Sequence, residues 1–168
     1  HVLSFPPTFG MYEFLAGVHE ITLKEIDRCD DFNIDINSAL NVIGESTGLV
    51  IVASPNNPSG SVLSDSELNL LLETGATVMI DEAYAEFSKK SFVSWTVNHP
   101  NLIVLRTFSK WAGLAGLRVG YGVFHPSVVE VLMRLKQPYS VNSAAETAAL
   151  AALIDRDELN AQVDAIIE

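Results

Sequence analysis

The sequence predicts an α/β fold, a mostly parallel sheet with helices on both faces. Two observations predict it. Short runs such as Leu49–Ser54 (LVIVAS), Thr77–Asp81 (TVMID) and Leu102–Arg106 (LIVLR) are apolar without alternation, as strands buried on both sides are. Segments with helical spacing and capping residues lie between these runs. Together they give about six strands interleaved with helices, and each strand–helix–strand unit takes a right-handed crossover by default.

In chain order, His1–Ser4 is the tail of a strand, Phe5–Gly10 (FPPTFG) is a turn, and Met11–Ala16 begins a helix. Val18–Leu23 alternates in the strand manner, and Lys24–Asn33 is a polar, acidic connector. Ile36–Gly44 has helical spacing, with Asn33 or Asp35 placed to cap it. Leu49–Ser54 is a buried strand, followed by a tight loop at Pro55–Ser61. Ser64 and Glu67 form a capping box ahead of Leu68–Leu72, and Gly75 stops that helix. Thr77–Asp81 is a strand that ends in carboxylates, and Ser88–Pro100 is expected as a surface excursion. Leu102–Arg106 and Val119–Phe124 are strands. Pro126 opens a helix that runs to Lys136, Ser143–Ile154 is an Ala-rich helix, and Glu158–Glu168 is a last one.

Composition bounds the function. A chain of 168 residues with 48% apolar content is long enough for one domain with a real core. Mean hydropathy is +0.25, outside the range of disordered chains. The net charge of −11 argues against nucleic-acid binding, which needs a basic surface. It leaves room for a phosphorylated small molecule, because a local cationic site can sit on an acidic protein. The single cysteine, Cys29, allows no intrachain disulfide and fits a reducing compartment; its acidic setting, DRCDD, disfavours a reactive thiolate. No apolar run reaches the length of a membrane-spanning helix, and no signal peptide is visible. The start at His1 and the end inside a helical pattern at Val163–Glu168 predict further sequence on both sides.

The chemistry converges on Asn101–Gly122 (NLIVLRTFSKWAGLAGLRVGYG). Lys110 lies just past one strand and Arg118 just before the next, in loops where open α/β sheets bind ligands. Most lysines are solvated surface residues. Lys110 differs in following two hydroxyls, Thr107 and Ser109, with no carboxylate in the segment to pair with it. An amine among apolar and cationic neighbours is more available as a nucleophile. Hydroxyls plus an arginine suit a phosphate monoester. A reactive lysine beside a phosphate cup points to a Schiff base with a phosphorylated aldehyde, of which pyridoxal 5′-phosphate (PLP) is the common one.

Other constellations admit two readings each. Pro55–Gly60 (PNNPSG) is either a plain turn or a strand-end loop that aims the Asn57 amide at a ligand, with Pro58 restricting the Asn57 backbone. Asp81, at the end of a buried strand, is either a cap or salt-bridge partner, or the anion that keeps a pyridine nitrogen protonated; Tyr84 is then placed to donate to the phenolate oxygen of such a ring. Phe9, on its Pro/Gly turn, can stack on a flat ring, whereas Tyr12 reads as core packing. The four histidines are scattered without metal-ligand spacing. There is no GxSxG, and Gly120-Tyr121-Gly122 lacks the third glycine of a dinucleotide fingerprint.

The motifs PPTFGMYEF (Pro6–Phe14), SPNNPSG (Ser54–Gly60), DEAYAEF (Asp81–Phe87), VLRTFSKWAGLAGLRVGYG (Val104–Gly122) and KQPYSVNSAA (Lys136–Ala145) span the chain. In these the sequence resembles the fold-type I, PLP-dependent class I and II aminotransferases, and within them the histidinol-phosphate aminotransferase family. The resemblance implies that Lys110 forms the Schiff base and moves protons between substrate and cofactor. It implies that Asp81 holds the pyridine nitrogen protonated, and that Tyr84 and Asn57 bond the phenolate oxygen. Thr107, Ser109 and Arg118 are then the phosphate ligands. Phe9, where many members have Tyr, stacks on the ring. The implied reaction is ping-pong transamination between histidinol phosphate and a 2-oxo acid, 2-oxoglutarate, in histidine biosynthesis. A homodimer in the cytoplasm, or in the plastid stroma of a plant-type source, goes with it. A PLP-dependent decarboxylase of an amino-acid phosphate, or a non-catalytic assembly fragment, is the alternative. Members of the family are roughly twice as long as this chain. Residues 1–168 therefore correspond to a partial PLP-binding large domain, without the N-terminal arm and C-terminal small domain, and are expected to be poorly active alone.

Overall fold

The computed structural model describes residues 1–168. Its centre is a six-stranded sheet in which β1 (Val2–Ser4), β2 (Leu23–Glu25), β3 (Leu49–Ala53), β4 (Val78–Asp81), β5 (Leu102–Thr107) and β6 (Gly120–Val123) take the order β2-β1-β3-β4-β5-β6. All neighbours are parallel except β5 and β6, which are antiparallel. The strand order reverses between β1 and β3, and the crevice beyond the carboxyl ends at such a point is where open α/β sheets bind ligands. The register brings the ends level: Ala53 pairs with Asp81, and Asp81 with Leu105.

The helices are α1 (Met11–Val18), α2 (Ile36–Val42), α3 (Asp65–Glu73), α4 (Ala85–Ser88), α5 (Pro126–Leu135), α6 (Ser143–Ile154) and α7 (Arg156–Ile167). Their starts follow from their caps. Asp35 accepts from Ser38 N–H at 3.0 Å, so it, and not Asn33, caps α2. The capping box of α3 is complete, with Glu67 reaching back to the Ser64 N–H at 2.7 Å. Gly75 leaves α3 with φ +77°, a conformation open to glycine.

The pleat sorts the side chains. Val50, Val52, Val78, Ile80, Leu102 and Val104 face the main core, against Leu68, Leu71 and Leu72 of α3 and Ala39 of α2. Ile51 and Ala53 face the other way, against Tyr12 of α1. A third cluster joins Phe108, Trp111 and Val119 to Ala145, Ala149 and Ala152 of α6 and Val163 of α7.

Two expectations are corrected. Val18–Leu23 is not a strand: Val18 completes α1, Glu20 turns the chain at φ +55°, and β2 begins at Leu23. Lys24 and Glu25, assigned to a connector, belong to this strand, and charged residues suit its place at the sheet edge. Ser88–Pro100 is more than a surface excursion. Phe92 is 1% exposed within the main core, and Val93–Val97 is a 3-10 helix. So short a 3-10 turn leaves no readable period in the sequence.

Candidate active site

Four strand ends converge on one cleft. The turn after β1 supplies Phe9 and the first turn of α1 supplies Tyr12, the loop after β3 supplies Pro55 and Asn57, β4 and its turn supply Asp81 and Tyr84, and the loop after β5 supplies Lys110.

The loop after β5 is built to present its lysine. Phe108 and Trp111 are buried, with ring centroids 5.7 Å apart, and anchor the loop on the α6 cluster. The Thr107 hydroxyl accepts from Ser109 N–H at 3.0 Å, and Lys110 O accepts from Gly113 N–H at 3.1 Å. Between the two aromatic anchors Lys110 is exposed at the cleft, its Nζ 5.2 Å from the centroid of the Tyr84 ring. That distance is within cation–π range.

Asp81 closes the floor. Its Oδ1 accepts from Ala83 N–H at 3.0 Å and its Oδ2 from the Tyr12 hydroxyl at 2.7 Å. The carboxylate thus holds the turn and also lines the cleft. Each oxygen keeps a free lone-pair direction. Tyr12 is the site residue that sequence reading missed. It is 8% exposed, as core packing predicts, but its hydroxyl reaches the carboxylate. Burial, and next the charge of Asp81, push its phenol pKa well above the usual range, so it remains a proton donor. The only available signal was that a buried tyrosine hydroxyl usually has a partner.

The two asparagines of PNNP divide the readings of that loop. Asn56 is buried and holds the turn: its Nδ2 donates to Pro7 O at 3.0 Å and Ser59 Oγ at 2.8 Å, and its Oδ1 accepts from Thr8 Oγ1 at 2.8 Å. Asn57 is exposed and lines the cleft.

The expected phosphate ligands are placed less directly. Thr107 and Ser109 flank the start of the β5 loop but are not among the residues lining the cleft. Arg118 is also outside that lining. It is exposed, at φ +55°, and its Nη1 donates to Ala115 O at 2.8 Å. The cationic neighbour anticipated for Lys110 is thus turned onto its own loop, and the aromatic Tyr84 ring lies beside the lysine instead.

Behind the cleft, on the opposite face of β4, lies a buried ionic network. Glu82 is 1% exposed and accepts from Phe92 N–H, from Ser91 Oγ at 2.7 Å and from Arg106 Nη1 at 2.7 Å. Arg106 Nη2 also pairs with Glu86 at 2.8 Å. Burial raises the Glu86 pKa, against the opposing pull of Arg106. Arg106 is held above its usual pKa: burial opposes this, but the hydrogen bond to Glu82 and the charge of Glu86 prevail.

The sequence profile of the family described as "Aminotransferase class I and II" matches residues 1–168. A histidinol-phosphate aminotransferase of Dehalococcoides mccartyi is 43% identical over 166 residues, covering 99% of this chain and 46% of the relative. The chain thus spans about half the length of the curated relatives it matches. The crystal structure of the histidinol-phosphate aminotransferase from Clostridium acetobutylicum superposes with a TM-score of 0.89 at 26% identity, over 96% of this chain and 50% of that one. The enzyme of that name from Sinorhizobium meliloti, solved in complex with pyridoxal-5′-phosphate, gives 0.87 at 27% identity, over 96% and 46%.

Proposed function

The chain belongs to the class I and II aminotransferase family, and from that premise we propose that its cleft binds PLP and that the full-length protein transaminates histidinol phosphate with 2-oxoglutarate. The observation that carries this reading is the convergence of an amine, a carboxylate, an aromatic face, a phenol and an amide on one cleft at the strand ends.

The residues fit the cofactor by their chemistry. PLP, when bound, supplies an aldehyde for amines and a ring that withdraws electrons from the substrate carbon. Phe9, 44% exposed and lining the cleft, offers an aromatic face on which a flat ring can stack. Asp81 holds a proton at the ring nitrogen through a carboxylate oxygen. Tyr84 and Asn57 donate to the ring oxygen. Thr107, Ser109 and Arg118 are assigned to the phosphate; for Arg118 this requires its guanidinium to leave the Ala115 carbonyl. Lys110 would hold the cofactor, and its amine would serve as the base at the substrate carbon that bears the amino group.

Residues 1–168 are read as the large, cofactor-binding domain, with the remaining substrate contacts supplied elsewhere in a homodimeric full-length protein and little turnover by this segment alone. The compartment proposed is the cytoplasm, or the plastid stroma in a plant-type source; no helix here is long and apolar enough to cross a membrane. The relatives' names and coverage support the substrate and domain assignments.

The test is chemical. Borohydride reduction of the PLP-loaded protein, followed by peptide mapping, is expected to find the cofactor fixed to the peptide containing Lys110. Label on another lysine, or undiminished labelling in Lys110→Ala, refutes the assignment.

A further inference from the structure

We propose that Tyr12 is a positioning residue that fixes both elements addressing the cofactor ring, the Asp81 carboxylate and the Phe9 face. The inference rests on the PLP reading above and goes beyond it, because Tyr12 has no place among the residues assigned there.

Three contacts meet on this one residue, two of them through its side chain. The Tyr12 hydroxyl donates to Asp81 Oδ2 at 2.7 Å, across 69 residues of sequence. The Tyr12 ring meets the Phe9 ring edge to face, with centroids 5.8 Å apart and planes at 86°. Tyr12 N–H donates to Phe9 O at 3.2 Å, which closes the turn that carries Phe9 into α1.

The consequences are mechanical and electrostatic. A carboxylate at a strand end can rotate about its own side-chain bonds. Here Ala83 N–H holds one oxygen and Tyr12 holds the other, so the remaining lone pairs keep fixed directions. The phenol stays protonated because burial and the neighbouring charge resist its ionisation, so the bond persists wherever the carboxylate is charged. The ring of Tyr12, itself buried on Ile51 and Ala53, is a rigid backstop for Phe9, which is more exposed. One side chain thus sets the height of the stacking face relative to the anion, the two coordinates that a pyridinium ring must satisfy together.

This role predicts a signature that general structural support would not give. The experiment compares PLP with its 1-deaza analogue, in which a C–H replaces the ring nitrogen, as ligands of the full chain and of Tyr12→Phe, with Asp81→Asn as reference. Tyr12→Phe keeps the ring and removes only the hydroxyl. PLP affinity is expected to fall about tenfold, the size of one hydrogen bond to a charged group. Affinity for the analogue is expected to stay within about twofold, because no ring nitrogen remains for Asp81 to address. The PLP-to-analogue ratio is insensitive to partial unfolding, since a smaller competent fraction weakens both ligands equally.

An equal loss for both ligands, or no loss for PLP, overturns the positioning role while leaving the PLP reading intact. If wild type and Asp81→Asn each fail to distinguish PLP from the analogue, the assignment of Asp81 to the ring nitrogen falls, and this inference with it. A further variant, Tyr12→Leu, removes the brace on Phe9 as well, and is expected to weaken both ligands.

Discussion

Replacing Arg106 by Met tests whether the buried network behind the cleft holds the two strand ends together. Arg106 lies in β5, four residues before Lys110, and Glu82 directly follows Asp81 of β4. Removing the guanidinium leaves the Glu82 carboxylate, 1% exposed, with only the neutral donors Ser91 Oγ and Phe92 N–H, and strips Glu86 of its partner. Orphaning a buried charge costs about 3–5 kcal/mol. Glu86, whose pKa burial already raises, can relieve its share by taking up a proton, so most of the cost falls on Glu82. With a urea slope of about 2 kcal/mol per M, the unfolding midpoint should drop by about 2 M at unchanged slope. The double variant Glu82→Gln/Arg106→Met removes both charges and keeps an acceptor for Phe92 N–H. It should recover at least about half of the loss, because replacing a buried pair outright is far milder than breaking it. A single-variant shift below about 0.5 M, or a double variant no better than the single, would refute the argument.

Three further outcomes follow from other contacts. Ser64→Ala removes the capping box of α3 and should cost about 1 kcal/mol in urea unfolding, with Ser64→Asp restoring most of it. At Gly120→Ala the new Cβ would stand 2.7 Å from the Arg106 carbonyl oxygen, where β6 crosses the end of β5. Backbone cannot give way as a side chain can, so a loss of about 1–3 kcal/mol is expected, with weaker PLP binding at the adjoining loop. Glu86 titrates with a folded pKa raised above the ordinary 4.5. The folded state therefore binds its proton more tightly than the unfolded state; the associated stability is full below the unfolded value and is lost as pH rises through the folded one. Urea midpoints measured from pH 4 to 7 should show that decline, and Glu86→Gln should flatten it; an unchanged profile contradicts the assignment.

The inner strands β3, β4 and β5 were legible because they are short apolar runs bounded by turn residues. Leu49–Ala53 and Val78–Asp81 differ from the expected runs by one residue at an end. The helices with explicit caps, at Asp35, Ser64 and Asn142, were equally readable or nearly so. What escaped was structure without a period. The Val93–Val97 turn is too short to show one, and β2 carries only three residues, two of them charged. In the site, residues at strand ends could be nominated from sequence, because strand ends are where ligands bind in this architecture. The orientation of Arg118 could not, since it depends on a left-handed backbone at a non-glycine residue. The Tyr12–Asp81 bond could not either, since it joins residues 69 apart.

The adjacency of Asp81 and Glu82 shows why register matters more than motif at this site. Two neighbouring carboxylates look interchangeable in sequence, and either could be the ligand-facing anion. The pleat separates them. Asp81 shares its face with Ala53 and Tyr12, toward the cleft, while Glu82 turns to Phe92 and Arg106 on the core side. Shifting β4 by one residue so that Glu82 enters the cleft would move Asp81 into the core position of Ile80, opposite Val104, and would leave Arg106 without its carboxylate. The register is therefore set twice, by the apolar residues Val78 and Ile80 in the main core and by the ion pair at the strand's end. The Arg106 pair accordingly does more than offset its own burial. It penalises the slipped pairing, in which the charges would be mismatched, and so selects which carboxylate faces the candidate cofactor site.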